Sequence, residues 1–294
     1  MVSIIIPNYN HLSFIQERLD SVFNQTYQDF EVILLDDKSS DGSDEILLEY
    51  SNHLKVSHCI INKENSGSPF KQWEKGIELA SGEYVWIAES DDFSESNFLE
   101  KCVGELEKAK SDLVFTGIRI LNHDYCTTRV PLKAGVYSGE DLIKNHFLKN
   151  NLIINTNALV VKKELWQKVS FEDAMHFKIA GDWLLYIMML RNSSCSFIEN
   201  QLAYYRRHQS ASTAGLAANE LFYIEANKVL RYTRNQYELS LKTKLKIGMS
   251  WMNRIVYSGL PSKSKKKVLG VFFTPSERIL ITAYSSYLRL FETK

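Results

Sequence analysis

The feature that most constrains this chain is a rhythm in its first 120 residues. Short apolar runs alternate with segments of helical period, at the spacing of a strand–helix unit. Val2–Ile6, Glu31–Leu35, Val56–Ile61, Tyr84–Ala88 and Leu113–Ile120 read as strands. Leu12, Ile15, Leu19, Val22 and Phe23 recur at helical spacing between the first two. Ser43 is a candidate N-cap before Ile46, Leu47 and Tyr50. Phe70–Ala80 reads as a helix with Gly82 just past its end, and another helix is predicted from Asn97 to Ala109. Parallel strands need crossovers of this kind, so the pattern predicts an α/β protein with a doubly wound, mostly parallel sheet.

After Ile120 the rhythm breaks. Residues 122–137 read as loop and irregular strand, and Ser138 with Asp141 as a capping box before Leu142–Leu148. Ala158–Val161, Cys195–Ile198 and Leu202–Tyr205 read as short strands, and Asp182–Arg191 as a strongly apolar helix. From Leu216 the pattern is helical, and Thr274-Pro275 opens a last helix over 276–291. The expected organisation is an α/β half over 1–120, a second half of the same domain over 121–215, and a C-terminal helical extension over 216–294. Charge supports the last boundary. Residues 216–294 carry 14 basic and 5 acidic side chains, while the chain as a whole is neutral. The acidic body argues against nucleic acid as a ligand. Four scattered cysteines with no C-x-x-C exclude a zinc ribbon, a thioredoxin motif and a disulfide framework. No apolar run approaches the ~18 residues of a spanning helix, and MVSIIIPNYN has no basic leader, so a cytoplasmic protein is expected.

The strand ends carry the chemistry. In open α/β sheets, ligands bind beyond the carboxyl ends of the strands. Here those ends are Pro7-Asn8-Tyr9-Asn10, Asp36-Asp37 and Glu89-Ser90-Asp91-Asp92. Carboxylates gathered at one rim repel one another, and a hard divalent cation relieves that cost. Such ions usually accompany a phosphate-bearing substrate. A single Asp in such a place more often caps a helix or shapes a turn, but acid pairs ending alternate strands favour a site. Neither G-x-G-x-x-G nor G-x-x-x-x-G-K-[ST] follows the first strand. Phosphate charge must therefore fall to a metal or to basic side chains.

V-S-I-I-I-P-N-Y-N, S-V-F-N-Q-T-Y-Q-D-F-E-V-I-L-L-D-D-K-S-S-D-G-S, N-S-G and A-S-G-E-Y-V-W-I-A-E-S-D-D together resemble the family 2 glycosyltransferases. The resemblance is dense over residues 1–100 and looser over 150–213. It implies a GT-A fold and inverting transfer from a nucleotide-diphosphate sugar, usually a UDP-sugar, with Mn²⁺ or Mg²⁺. The halves 1–120 and 121–215 would then bind donor and acceptor. Pro7 and Tyr9 match the loop against the nucleotide base, and Asp37 the acid that takes a ring N–H, with Asp36 beside it. Asp92 would be the main metal ligand, and Asp91 would contact the ribose or a metal-bound water. The chain departs from the family pattern at Glu89, where Asp is usual, and at Phe70-Lys71-Gln72-Trp73, where A-R-N is common. Lys71 would replace that arginine on the diphosphate. Ala180-Gly181-Asp182-Trp183 resembles the E-D-W-like motif, so Asp182 would be the general base. Its apolar neighbours are expected to raise its pKa. Tyr204-Tyr205-Arg206-Arg207-His208 resembles the Y-R-x-H segment. His208 would ligate the metal or bond the diphosphate, and Arg206 or Arg207 would neutralise that diphosphate. His11 and the other histidines have no metal-like spacing and receive no role.

Many bacterial relatives extend glycans linked to polyprenyl diphosphate at the inner membrane. The expected acceptor is therefore a glycan or lipid-linked glycan of a surface polysaccharide. Lys263, Lys265, Lys266 and Lys267 precede the apolar run Val268–Phe273, a pattern that fits peripheral contact with anionic lipid. The same region would otherwise mediate a homodimer. The chain lacks the apolar spans of processive synthases, so transfer of a single sugar is expected. The rival reading is a non-catalytic nucleotide-sugar-binding scaffold.

Overall fold

The computed structural model describes residues 1–122, 125–208 and 220–291. The first half runs β1 (Val2–Asn8), α1 (Leu12–Phe23), β2 (Phe30–Asp36), α2 (Ser43–Glu49), β3 (Val56–Ile61), α3 (Pro69–Leu79), β4 (Tyr84–Ile87), β5 (Phe93–Ser94), α4 (Phe98–Ala109) and β6 (Leu113–Leu121). The middle adds β7 (Cys126–Arg129), β8 (Gly135–Ser138), α5 (Gly139–Leu142), β9 (Leu159–Lys162), α6 (Lys163–Trp166), α7 (Phe171–Met175), α8 (Gly181–Leu190) and β10 (Ser194–Arg206). Four helices follow: α9 (Glu220–Arg234), α10 (Leu241–Val256), α11 (Ser262–Phe272) and α12 (Pro275–Phe291).

Among the described residues the strands form one sheet in the order β3-β2-β1-β4-β9-β6-β10-β5, with β7 on β6 and β8 on β10. β1 pairs in parallel with β2 and β4, so the carboxyl ends of these three strands share one rim. Register sets Asn8 opposite Asp36. The parallel expectation fails between β4 and β6. They are not neighbours, because β9 lies between them and antiparallel to both. Its Leu159, Val160 and Val161 are fully buried, as a central strand requires. The runs expected at 195–198 and 202–205 are one strand, β10, with register shifts at Ile198, Gln201 and Ala203. A polar Glu199-Asn200-Gln201 interrupts the apolar pattern, but the backbone ladder continues past the irregularity.

Alternation along β1 divides the core. Ile4 and Ile6 face one apolar cluster with Leu19, Trp86 and Phe98, while Ile5 faces the other. That second cluster continues through Trp166 and Trp183 to Trp251, Phe272 and Ile281. The C-terminal helices thus share the core of the α/β body. Ser138 Oγ accepts from the Asp141 N–H, and Thr274 with Glu277 forms a reciprocal cap at the start of α12. Ser43, in contrast, is not the N-cap of α2. Gly42 holds that position at φ +90, a conformation favouring glycine, and the buried Ser43 hydroxyl donates to Asp41. No helix among the described residues is long and apolar enough to cross a membrane.

Candidate functional site

The first two strands end in loops that their own carboxylates hold in shape. Asp36 is fully buried and accepts from Asn8 Nδ2 (2.7 Å), the Ser39 N–H (2.8 Å) and Ser39 Oγ (2.6 Å). These bonds close the loop after β2 and hold Asp36 beside Asp37 at the strand end. Asp37 accepts from Asn62, the Ser66 N–H and hydroxyl, and Gln72, each at 2.8 Å. Asn65-Ser66-Gly67 is thereby tied to Asp37. Pro7 is buried in β1, whereas Tyr9 stands exposed just past its end. Lys71 is exposed, and its ammonium donates to the Ser66 carbonyl at 3.0 Å.

The Glu89–Asp92 segment separates two adjacent acids. Asp92 is fully buried, and its oxygens accept from the Arg206 N–H (2.7 Å) and Asn155 Nδ2 (2.8 Å). Burial and the charge of Asp91 push its pKa well above the usual carboxylate range. Asp92 is thus a buried acid that ties this segment to Asn155 and to the backbone of β10. Asp91 meets the histidines instead. His208 Nε2 lies 3.0 Å and His11 Nε2 4.0 Å from Asp91 Oδ2. One ligand atom from each of the three residues fits within a 4.8 Å cluster. Burial pushes the Asp91 carboxyl up, but the His208 hydrogen bond and the His11 charge outweigh it and hold the pKa below the usual value. Ser90 Oγ contacts His11 Nδ1 at 2.7 Å and orients that ring. Two imidazoles and one carboxylate suit Mn²⁺ better than Mg²⁺, which favours oxygen alone.

Beneath this segment lies a cation that no motif marks. Arg18, on the inner face of α1, is fully buried. It donates from Nε to the Glu89 carbonyl (2.8 Å) and from Nη2 to Asn157 Oδ1 (2.7 Å). Burial lowers its pKa to about 10, against the charges of Asp92, Asp91 and Glu89. A buried charge needs such partners, and Arg18 offsets the acidic segment from below.

The two departures from the family pattern meet in space. Trp73 Nε1 donates to Glu89 Oε1 at 3.0 Å, while the neighbouring Gln72 serves Asp37. The helix that replaces A-R-N thus supplies a donor to each acidic strand end. Burial, then the Asp91 charge, raises Glu89 to about 8, and the charge of Asp182 adds to the rise. Asp182 occupies the first turn of α8 and accepts from the Trp183 N–H at 2.6 Å. Burial lifts its pKa to about 7, and the Glu225 charge contributes. Gly181 before it is required by packing, since a Cβ there would lie 2.6 Å from the Phe70 ring. Glu225 of α9 caps the approach, accepting the N–H groups of Lys178, Ile179 and Ala180 at 2.9, 2.8 and 3.1 Å. The C-terminal extension therefore holds the loop that presents Asp182, a link no sequence motif marks.

The two arginines before His208 differ. Arg206 donates to the Asp91 carbonyl (2.9 Å), pairs with Glu17, and stacks over Phe14 and Phe93. These contacts hold Arg206 between α1 and the Glu89–Asp92 segment. Arg207 is exposed, with its guanidinium over Tyr205.

A doubly wound sheet with an acidic strand-end rim and C-terminal helices is an architecture of the GT-A type. A model of the family described as glycosyl transferase family 2 matches residues 3–163. The chain belongs to that family and is a glycosyltransferase. It is 27% identical over 226 residues to glycosyltransferase GlyG of Streptococcus pneumoniae, covering 72% of each chain. It is 30% identical over 167 residues to the putative teichuronic acid biosynthesis glycosyltransferase TuaG of Bacillus subtilis, covering 57% of this chain and 64% of that one. The fold is similar to the crystal structure of Staphylococcus aureus TarS 1–349 in complex with UDP, with TM-score 0.61, 20% identity, and coverage of 92% of this chain and 70% of that one.

Proposed function

We propose that the protein transfers a single sugar, with inversion, from a UDP-sugar to a glycan or lipid-linked glycan acceptor during surface-polymer synthesis. The observation that carries this reading is the meeting of His11, Asp91 and His208 at the strand-end rim, with Asp182 electrostatically coupled to it through Glu89. Similarity to TuaG and to the UDP complex of TarS supports the donor and the type of acceptor. His11, Asp91 and His208 would hold Mn²⁺. When bound, that ion supplies Lewis-acid neutralisation of the departing diphosphate.

Asp182 acts as the general base. It takes the proton from an acceptor hydroxyl as that oxygen attacks the anomeric carbon opposite the nucleotide. The carbon–oxygen bond to the diphosphate breaks with its electron pair on the leaving nucleotide. An α-linked donor therefore gives a β-linked product. Burial suits Asp182 to this work, because a base of pKa about 7 is both available and strong enough near neutrality. Tyr9 packs against the base, and Lys71 and Arg207 remain the exposed cations for phosphate oxygens. Incubation with UDP-sugars and Mn²⁺, followed by NMR assignment of the new linkage, tests the reading. A β-linkage from an α-donor is expected. An α-linkage would overturn the single-displacement mechanism.

Peripheral membrane contact belongs to the same proposal in revised form. Val268, Phe272 and Phe273 are buried in the core and are not available to lipid. Contact would fall to Lys263 and Lys266 with the exposed Val256 and Tyr257. Flotation with anionic and with neutral vesicles checks it. Binding to the anionic vesicles alone is expected, and equal partitioning would contradict it.

A further inference from the structure

Three arginines converge beside the acceptor half, and none of them belongs to the donor chemistry described above except Arg207 at its edge. Arg129 ends β7 and donates from Nη2 to the Asn151 carbonyl at 2.6 Å. Arg254, near the end of α10, donates from Nη2 to Asn150 Oδ1 at 2.9 Å. Two distant elements thus place guanidinium groups on consecutive residues of one turn. Arg207 completes the group from the end of β10, where its backbone N–H donates to Leu121 on the strand that pairs with β7. Burial, then the charges of Arg254 and Arg207, pulls Arg129 below its ordinary pKa. Arg129 therefore sits within reach of both other charges.

Nothing among the described residues balances them. No carboxylate among those residues lies within ion-pairing distance of Arg129, Arg207 or Arg254, although Arg119, Arg206, Lys162 and Lys267 all have acidic partners. The acceptors of Arg129 and Arg254 are neutral amide oxygens. Arg254 Nη1 is buried and donates to no described group. A buried guanidinium N–H left without an acceptor costs stability, as does packing like charges together. The ring faces of Trp251 and Phe222 hold Arg254 in place, 5.3 and 5.9 Å away. Arg129 and Arg254 are held in place by these contacts, while Arg207 stands exposed at the edge of the group. It also adjoins the chemistry, since Arg207 precedes His208 and the 150–151 turn leads to Asn155, which donates to Asp92.

We propose that Arg129, Arg207 and Arg254 form an anion subsite that takes a phosphate or phosphodiester of the acceptor. Planar guanidinium groups bind phosphate oxygens in this way, often two oxygens at a time. The inference rests on the transferase reading above and names its acceptor class as phosphate-bearing. The phosphate comes either from a phosphodiester polymer or from a lipid-linked diphosphate.

The test is titration calorimetry on the full chain with UDP and Mn²⁺ at saturation, so that the donor site is filled. The probes are glycerophosphoglycerol, for the polymer, and farnesyl diphosphate, for the lipid-linked source. Wild type is expected to bind at least one probe, and the tighter one identifies the source. Arg129→Gln and Arg254→Gln should each weaken that probe by about tenfold or more while leaving UDP affinity unchanged. Arg254→Lys, which keeps the charge, should recover part of the loss. Unchanged UDP binding also shows that each variant is folded. Equal probe binding in wild type and both glutamine variants would overturn the proposal. So would a parallel loss of UDP binding in Arg129→Gln, which would assign these arginines to the donor. Wild type that binds neither probe yet binds UDP overturns the subsite alone. Wild type that fails to bind UDP overturns the transferase reading itself.

Discussion

Asp182→Asn is expected to stabilise the protein while abolishing its turnover. The Asp182 carboxyl is raised from 3.8 to about 7, first by burial and then by the Glu225 charge. The sign follows from proton linkage. Between these two values the folded state holds a proton that the unfolded state has released, so stability falls as pH rises through this window. Above about pH 7 the loss is complete, and the folded protein carries a poorly solvated carboxylate. A pKa change of one is worth about 1.4 kcal/mol, so the full rise sets an upper limit of about 4 kcal/mol. Relaxation and solvent screening reduce this to roughly 1–2 kcal/mol. Asparagine has the same shape and still accepts the Trp183 N–H, but never ionises. Near pH 8 the variant should therefore melt about 2–4 °C above wild type. Only below about pH 4, where Asp182 is neutral in the unfolded state as well, should the two melt together. Turnover should fall by about 10²–10⁴-fold, and in wild type kcat/KM should drop about tenfold for each step of one in pH below 7. Calorimetric melting at the two pH values, with a transfer assay alongside, measures both effects. An Asn variant that melts below wild type near pH 8, or that keeps near-normal turnover, would refute the reasoning.

Two other perturbations probe the frame around the site. Arg18→Met should cost about 3–5 kcal/mol in chemical denaturation, because it leaves Asp92 and its neighbours without their buried counter-charge. A loss below about 1 kcal/mol would mean that burial and the Asp91 charge keep Asp92 neutral, so that it needs no counter-charge. Trp251→Ala should cost about 3–5 kcal/mol and abolish a single cooperative transition, since α10 shares the core of the α/β body. Independent melting of the body and the extension in wild type would contradict that.

Period and composition carry the strand–helix order of the first half. The rim of β1, β2 and β4 follows directly from where the apolar runs stop. The insertion of antiparallel β9 is not readable, because Leu159–Val161 is a short apolar run that fits either strand direction. At the site, motifs locate the segments but do not tell how differently the two members of each pair are placed. Asp91 and Asp92, like Arg206 and Arg207, are adjacent residues with opposite environments. Which one turns to the rim depends on the local turn and on Asn155, some 60 residues away in sequence, and not on residue type. His11 gives no signal by spacing because its partners Ser90, Asp91 and His208 are distant in sequence. A metal pattern read by spacing detects ligands on one element, and this cluster is assembled from three. Glu225 and Arg18 are hidden in amphipathic helices, where a charged residue is ordinarily solvent-facing.

A donor site organised by Asp91 and His208 is tested most directly by the melting temperature with UDP, with and without Mn²⁺, for wild type, Asp91→Asn and His208→Ala. At about 100 times its Kd a ligand adds about 2.7 kcal/mol, a rise of several degrees. That rise is predicted in wild type only when Mn²⁺ and UDP are both present, and its loss is predicted in both variants. A UDP-dependent rise that needs no metal, or that survives Asp91→Asn, would contradict it.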